Sequence, residues 1–555
     1  MVNINHHHYT SKEGIIEWDI KSYYAYLPAT FIYHDLSLDF IDTNPKKFKF
    51  WIWPVETPTG KKAILTSMGL SYLYAPFFAI GHVSSLISDK HEPDGYSEPY
   101  HTALQFSTYI YFLISLVLLM KILRNYFSDR ITALTLFAIA AGTNLFYYIT
   151  YSAAMPHGYN FFLIILFIFY LEKWIDKINI KYTIILGLVA GLIALIRPTN
   201  IVVLFLVPLW KVGSINDFKE RINLLLKKWP LIVLMALAFI LVWVPQFAYW
   251  KCVSGKIFYF TYGERSDQFF WGNPQIWKIL FSYEKGWFVY TPMMLLAVIG
   301  FWFLHRRKLK LSTPVTLYVV LMVYILSAWW CWWYGGSFGQ RSMIDFYGLM
   351  AIPLAAFFEW IFNKKWLKYF AVVLVAWLVF FNQFNIKQYR NQSISYWWMN
   401  KEGYWENFLK VKPTCKYWNI AMHPNYKIAR LGIYEPIAPY NKLQVVSDEM
   451  LANEVVSSNL TNTTLIDSLK IGQDPIQSDS LLLNSFASNL VVNNGAEQYF
   501  KKIKVDYYVN QIHNCASWKK DIEKQARKNE LSYEEMALIE AERIYNNYSQ
   551  KYDQR

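Results

Sequence analysis

The sequence is poor in charged residues for its length. Only 17% of its 555 residues are Asp, Glu, Lys or Arg, whereas a soluble protein of this size carries about a quarter. Hydrophobic residues make up 54% of the chain and aromatic residues 19%, and an excess of Trp and Tyr is typical of membrane interfaces. The net charge of +14 falls in short clusters between apolar runs. This is the pattern of membrane loops, and it argues against a nucleic-acid partner.

Other signals are absent as well. The chain has no heptads, no glycine-rich nucleotide loop and no internal repeat, and residues 1–65 contain neither a spanning run nor a signal peptide. The consecutive side chains of His6-His7-His8 do not converge on one ion, so we expect no metal site there. The four cysteines lack metal or redox spacing. Cys415 and Cys515 could pair if the tail is extracytoplasmic, and free thiols are an equal alternative.

Apolar runs dominate the middle of the chain. A helix needs about 20 apolar residues to cross a bilayer, and ten candidates occur at 103–121, 131–152, 159–172, 182–196, 199–211, 229–250, 287–304, 315–334, 345–362 and 366–384. We therefore predict an all-α polytopic membrane protein with about 10–11 transmembrane helices. Pro198 should end the helix before it, so that 182–211 forms a hairpin.

The chain divides into three predicted parts. Residues 1–102 form a first extracytoplasmic loop, 103–385 a transmembrane domain, and 386–555 an extracytoplasmic, partly helical C-terminal domain, with an amphipathic helix in 516–550. Within the first part, the run 66–88 is diluted by polar residues and interrupted by Pro76. We favour a re-entrant or juxtamembrane helix there over a full span.

The basic residues between the predicted spans set the orientation. If every candidate crosses, the loops around 121–130, 173–181, 211–228, 306–310 and 364–368 share one face, which the positive-inside rule makes cytoplasmic. Residues 1–102 then lie outside, which requires a further transmembrane helix before residue 1. In the alternative, 66–88 spans the membrane and Asp19 is cytoplasmic.

The predicted outer face collects the polar residues that could carry chemistry. They are Asp19, Tyr24, Lys61, His157, Glu264 and Arg341, and Arg197 at the predicted hairpin turn is a further candidate cation. Transfer of a sugar from a lipid phosphate needs a carboxylate to activate the acceptor, cations for the leaving phosphate, and aromatic surfaces. Each residue also has a plainer interpretation: a solvated acid for Asp19, a helix-end hydrogen bond for His157, headgroup snorkelling for Arg341 and a helix break at Arg197.

The sequence resembles a known superfamily over about residues 15–385. The resemblance is carried by stretches such as WDIKSYYAYLPATFIYHDLSLDF, MPHGYNFFLIILF, GLVAGLIALIRPTN and WWYGGSFGQRSMIDFYGLMAIPLAAF. They resemble bacterial GT-C membrane glycosyltransferases, in the protein O-mannosyltransferase and aminoarabinose-transferase-like branch common in Bacteroidetes.

The resemblance implies an inverting hexosyl or pentosyl transferase in the inner membrane, with its active face periplasmic. The donor would be a polyprenyl-phosphate-linked sugar, and the acceptor a glycan, lipid or protein. Asp19 matches the position of the catalytic acid, and Lys61, His157, Arg341, Tyr24 and Glu264 are the candidates for binding substrate and phosphate. Some relatives use a divalent metal ion and others do not, so a metal stays open.

A second function class uses the same membrane architecture. A polytopic transporter or flippase of lipid-linked sugar would need ionisable residues deep within its spans. The sequence shows few, namely Arg197 at the predicted hairpin turn and Asp345 at a helix edge.

Overall fold

The computed structural model describes residues 14–48, 51–265, 267–434, 436–437 and 495–549. The His6-His7-His8 run lies outside these residues. The chain divides into two compact units, Met1–Lys387 with Arg430–Gly432, and Gln388–Ala429 with Ile433–Arg555.

The first unit begins with short elements. They are helices α1 Asp19–Tyr24 and α2 Tyr26–Phe31, a 3₁₀ helix Asp39–Thr43, helix α3 Pro45–Phe48, and strands β1 Pro54–Glu56 and β2 Lys62–Ile64. The two strands pair antiparallel, with Val55 opposite Ala63. The turn between them contains Gly60, whose φ of 79° is a conformation that glycine adopts at little cost.

The remaining helices of this unit, both long and short, follow. They are α4 Gly69–Ile87, α5 Glu98–Arg124, α6 Asp129–Ala141, α7 Leu145–Thr150, α8 Pro156–Asp176, α9 Ile180–Ile196, α10 Leu206–Leu209, α11 Ile215–Lys227, α12 Trp229–Ser254, α13 Ile276–Phe281, α14 Trp287–Tyr290, α15 Met293–Arg306, α16 Ser312–Ala328, α17 Tyr347–Phe362 and α18 Leu367–Arg390. Three 3₁₀ helices, Pro198–Phe205, Thr261–Arg265 and Arg341–Phe346, lie between them.

The prediction of an all-α polytopic membrane protein is confirmed. Among the described residues, six helical stretches are long and apolar enough to cross a membrane: α4, α5, α8, α12, Arg341–Phe362 and α18. Four shorter apolar helical stretches accompany them: Ile180–Ile196, Pro198–Leu209, Met293–Arg306 and Ser312–Ala328. The length and composition of α4 allow a full crossing, so the re-entrant interpretation of 66–88 stays a prediction.

Proline and glycine set several helix ends. α9 ends at Ile196 as predicted, because proline cannot continue the hydrogen-bond ladder and disfavours helical backbone in the residue before it; Arg197 is extended. The predicted spans 131–152 and 287–304 are each two helices rather than one. The first breaks at Gly142, and the second breaks just before Pro292 for the same steric reason.

The helices differ in how much of their surface faces protein. The most apolar window of Arg341–Phe362 is 89% buried and that of α8 is 72% buried, whereas that of α12 is 22% buried. An apolar helix exposed on most sides suits contact with lipid tails. α12 packs closely against α9, because a Cβ at Gly191 would lie 2.6 Å from the carbonyl oxygen of Phe239.

α11 is among the helices of this unit that were not predicted from the sequence. α11 is amphipathic and has no buried residue. Its sequence, INDFKERINLLLK, places exposed apolar residues such as Leu226 beside lysines. Such a helix is typical of the plane of a membrane interface.

The described part of the second unit is also mainly helical. Its elements are α19 Lys401–Glu406, α20 Tyr417–Ile420, β3 His423–Pro424 paired with β4 Pro436–Ile437, α21 Tyr426–Ala429, α22 Gly495–Asn514, α23 Ala516–Asn529, α24 Tyr533–Ile544 and a π-helical turn Tyr545–Ser549. Trp518, Ile522 and Ile544 lie in its core. Cys415 and Cys515 form a disulfide with their Cα atoms 6.1 Å apart.

The predicted amphipathic helix over 516–550 is two helices. α23 ends at Asn529, and the next residue, Glu530, takes a left-handed conformation. α24 starts from a capping box formed by Ser532 and Glu535. A Ser three residues before a Glu is a helix-start signal, which explains the new helix.

Candidate functional site

Asp19 and Arg341 form an ion pair across 322 positions of sequence. Arg341 Nη2 donates to Asp19 Oδ2 at 2.9 Å. The side chain of Arg341 is largely enclosed, with 15% exposed, whereas that of Asp19 is 49% exposed. The carboxylate therefore remains accessible to a substrate while one of its oxygens holds the guanidinium.

Asp19 is presented by an unusual backbone. The preceding residue, Trp18, has a φ of 51°, which costs a non-glycine residue energy and is often found at functional sites. The Trp18 side chain is 71% exposed and contacts Trp53 edge to face, with ring centroids 6.2 Å apart. An exposed aromatic pair therefore lies directly beside the acid.

The loop before Arg341 is held by buried polar contacts. The backbone N–H of Phe338 donates to the Tyr148 hydroxyl at 3.0 Å, and Gln340 Nε2 donates to the Trp332 carbonyl at 2.8 Å. Gly339 has a φ of 58°, and a Cβ there would lie 3.0 Å from Cβ of Tyr290. Packing and backbone geometry thus set the position from which Arg341 starts its 3₁₀ helix.

Lys285 anchors the same loop. Its ammonium donates to the Ser337 carbonyl at 2.6 Å, and both residues are buried. Burial lowers the pKa of Lys285 to about 8, the adjacent Glu284 opposes this shift, and Arg341 adds to it by charge repulsion. Burial also raises the pKa of Glu284 well above its ordinary value.

A second ion pair comes from the same 3₁₀ helix as Arg341. Asp345 Oδ2 accepts from Arg197 Nη1 at 3.0 Å and from Asn200 Nδ2 at 2.7 Å. His157 Nδ1 lies 2.9 Å from Asp345 Oδ1 and 2.9 Å from Arg197 Nη1. The guanidinium of Arg197 also lies over the Tyr334 ring, 5.6 Å from its centroid. His157, Asn200 and Asp345 are buried, so this cluster is a buried ionic network of the kind that is costly unless fully paired.

Tyr23 lies within electrostatic range of both ion pairs. Its pKa is raised to about 12, chiefly by burial and then by Asp19, while Arg197 and Arg341 lower it. The structure therefore brings Asp19, Arg341 and Arg197 into one electrostatic environment. His157 joins it through its contacts with Arg197 and Asp345.

The other sequence-predicted residues lie in different surroundings. Lys61 is exposed in the β1–β2 turn and donates to the Cys252 carbonyl at 3.1 Å. Tyr24 is fully buried, and its hydroxyl donates to the Gly95 carbonyl at 2.5 Å, which gives it a packing role rather than contact with a ligand. Glu264 lies in the 3₁₀ helix Thr261–Arg265, and its side chain is outside the described part of the structure.

Two site residues were not selected from the sequence. Asp345 was noted only as an acid at a helix edge. Lys285 was noted only within Glu284-Lys285-Gly286, in the long loop 251–286 that the sequence predicts to lie on the outer face. An ionisable residue next to an apolar run is the signal that could have identified Asp345. The carbonyl partner of Lys285 depends on a fold that local sequence does not reveal.

The described residues contain no group of three or more His, Cys, Asp or Glu side chains placed to hold a metal ion. Asp19 is paired with Arg341, and Asp345 is enclosed by Arg197, Asn200 and His157. These carboxylates do not converge on a shared position, so we derive no step through a metal.

The comparisons with known proteins are sparse. No protein-family model matches the sequence, and no curated protein matches it. Among solved structures, the chain is similar to the oligosaccharyltransferase AglB from the archaeon Archaeoglobus fulgidus, in complex with an inhibitory peptide and a dolichol-phosphate. The identity is 13% and the TM-score 0.38, with 67% of this chain and 52% of the other covered. This chain thus spans about half the length of that protein, and the likeness is too distant to assign a function.

Proposed function

We propose that the protein is a membrane glycosyltransferase that moves a sugar from a polyprenyl-phosphate donor to a glycan, lipid or protein acceptor. The observation that carries this proposal is the Asp19–Arg341 pair. It places an accessible carboxylate 2.9 Å from an enclosed guanidinium, and these are the two groups that the reaction requires. The sequence resemblance to GT-C glycosyltransferases, in which Asp19 matches the position of the catalytic acid, supports the same function.

Each group has one role in the proposed step. Asp19 takes a proton from the acceptor hydroxyl or amine. The freed lone pair forms a bond to the anomeric carbon as the bond from that carbon to the phosphate oxygen breaks. The bonding electrons leave with the polyprenyl phosphate, and Arg341 stabilises the added negative charge. A single displacement of this kind inverts the anomeric configuration.

The surroundings of the pair suit a lipid-linked sugar. Apolar helices flank the site, and the exposed rings of Trp18 and Trp53 lie beside Asp19. Aromatic faces at the edge of a membrane can pack against the apolar face of a sugar ring while leaving its hydroxyls in water. The acceptor is therefore expected to approach Asp19 from the side on which Trp18 is exposed.

The proposed location is the inner membrane, with the active face periplasmic. The loop charges predict that face for residues 1–102 and for the tail. The Cys415–Cys515 disulfide in the second unit supports an oxidising compartment for the tail, because disulfides persist in the periplasm and are rare in the cytosol.

A transfer assay tests the proposal. Cell-envelope material from a strain lacking the gene is analysed by mass spectrometry to find the missing sugar. It is then incubated with polyprenyl-phosphate donors and membranes containing the full chain. We expect Asp19→Asn to reduce transfer by about 100-fold or more, as loss of a general base does. Asp42→Asn is the matched control, because Asp42 is an exposed acid of the same segment that pairs with Lys62. Full activity of Asp19→Asn would overturn the assignment.

The Arg197–Asp345 cluster favours one second candidate, a transporter of lipid-linked sugar. Transporters use ionisable groups within their spans, and this cluster provides a buried set. Proteoliposomes loaded with a fluorescent lipid-linked sugar distinguish the two functions. A transporter changes the leaflet of the lipid without forming a new glycosidic bond, whereas a transferase forms that bond and releases polyprenyl phosphate.

A further inference from the structure

On one edge of the Arg341 guanidinium, only one of the two N–H donors forms a hydrogen bond within the described part of the chain. Nε and Nη2 point the same way along that edge and together form the fork that binds two oxygens of a carboxylate or phosphate. Nη2 donates to Asp19, but Nε is buried and has no hydrogen-bond partner among the described residues. A buried donor without an acceptor is costly, so an acceptor oxygen placed at Nε would be stabilising.

Asp19 does not supply an acceptor for Nε. One of its oxygens contacts Nη2, and its side chain remains half exposed. The exposed carboxylate is solvated, and solvation weakens an ion pair. A ligand that offers two oxygens to both Nε and Nη2 would therefore compete well for Arg341.

Arg197 differs from Arg341 in this respect. Its Nη1 lies against both Asp345 and His157, and Asn200 donates to the same carboxylate. His157, Asn200 and Asp345 are buried. Removing Arg197 from this set would leave a buried carboxylate without a cation, which is strongly destabilising. Arg197 is therefore a fixed cation, and Arg341 is the cation that can change partners.

We propose that the donor phosphate takes Arg341 from Asp19, so that donor binding releases both oxygens of the Asp19 carboxylate for the acceptor. This inference rests on the proposed function and adds an order of events to it. A lipid-linked sugar phosphate is a diester with two non-bridging oxygens, which match the two donors on the edge of Arg341. Once Arg341 has moved to the phosphate, the Asp19 carboxylate is freed to accept the acceptor's proton. Without the donor, the acid stays paired.

Binding of undecaprenyl phosphate to the full chain in nanodiscs tests this exchange. If Asp19 and the phosphate compete for Arg341, Asp19→Asn binds the lipid phosphate roughly 2- to 5-fold more tightly than wild type. Arg341→Gln binds it more weakly, and Arg341→Lys is the second variant, because lysine keeps the charge but lacks the fork. Asp42→Asn, the matched control, binds like wild type.

The double variant separates exchange from simple charge repulsion. Asp19→Asn removes a negative charge and could tighten anion binding by repulsion alone. If Arg341 is shared, the tightening disappears when Arg341→Gln is already present. Tightening that persists in the double variant, or no tightening in Asp19→Asn, overturns the inference while leaving the proposed function intact. If wild type binds no undecaprenyl phosphate, the donor assignment itself fails.

Discussion

Arg341 and Asp345 lie four residues apart in one 3₁₀ helix and hold opposite charges in place. Arg341 pairs with Asp19, and Asp345 pairs with Arg197. One short element, Arg341–Phe346, therefore connects the accessible ion pair to the buried one. The position of the candidate base depends on this 3₁₀ helix. α1 supplies the Asp19 carboxylate, and the 3₁₀ helix supplies Arg341, the cation that holds it.

The buried pair should dominate the stability of the first unit. Asp345→Asn leaves Arg197 without its charge partner, and breaking a buried pair costs about 3 to 5 kcal/mol. Asp129→Asn is the matched control, because Asp129 forms an exposed pair with Arg124 and exposed pairs contribute about 1 kcal/mol or less. Thermal unfolding in detergent should show a large loss of stability for Asp345→Asn and little change in stability for Asp129→Asn. Equal effects would contradict the ionic role of Asp345.

The loop before Arg341 should be sensitive to substitution at Gly339. Gly339→Ala forces an alanine to a φ of 58° and against Tyr290, which strains the backbone that positions Arg341. Gly60→Ala has comparable backbone strain, with a φ of 79°, but no atom lies within 4 Å of its added Cβ. Both variants should lose about 1 kcal/mol of stability. We expect only Gly339→Ala to reduce sugar transfer. The reduction should be about tenfold, which corresponds to an increase in the activation barrier of about 1.4 kcal/mol. A similar loss of transfer in Gly60→Ala would contradict a specific role for the loop.

Lys285 should make the free energy of unfolding depend on pH in the alkaline range. Its pKa is about 8 in the folded protein, against an ordinary value of 10.5. Between these values the unfolded chain binds more protons than the folded one, so the free energy of unfolding rises with pH, by up to about 1.4 kcal/mol per unit. Below pH 8 the folded protein carries the full cost of the buried ammonium. Lys285→Met, which cannot titrate, should lack this rise.

The measurement is the difference in unfolding free energy between wild type and Lys285→Met from pH 7.5 to 10.5. A comparison of the two proteins removes contributions that they share. Glu284 has a raised pKa and acts with the opposite sign, since stability from a protonated buried acid falls as pH rises through its window. Glu284→Gln in both backgrounds isolates the lysine. A difference that stays flat across the range would contradict the lowered pKa.

Local sequence predicts some of this fold well and the site only in part. The helix end at Arg197-Pro198 follows from proline geometry, and apolar length identifies the long helices. The two ion pairs of the site are set by tertiary packing, because Arg197 and Asp345 are 148 positions apart and Asp19 and Arg341 are 322 apart. Asp19 and Arg341 were each selected as candidates, but no local pattern joins them, and none joins Asp345 to Arg197. Tyr24 was selected as a binding residue because it lies near Asp19 in the sequence, but the helix directs its side chain into the core.

The cysteines offer a direct test of orientation. Of the four cysteines in the chain, Cys415 and Cys515 are disulfide-bonded, Cys331 is buried and Cys252 is an exposed free thiol. Wild type therefore carries its own single-site reporter, close to the end of α12 and to the β1–β2 turn, where Lys61 donates to the Cys252 carbonyl. If residues 1–102 and 251–286 lie outside, a membrane-impermeant maleimide added to cells with a permeable outer membrane labels Cys252 without lysis. Cys252→Ser should abolish the signal.

Labelling that requires lysis of the inner membrane would place Cys252 in the cytoplasm, together with the turn that it contacts, and would contradict a periplasmic active face.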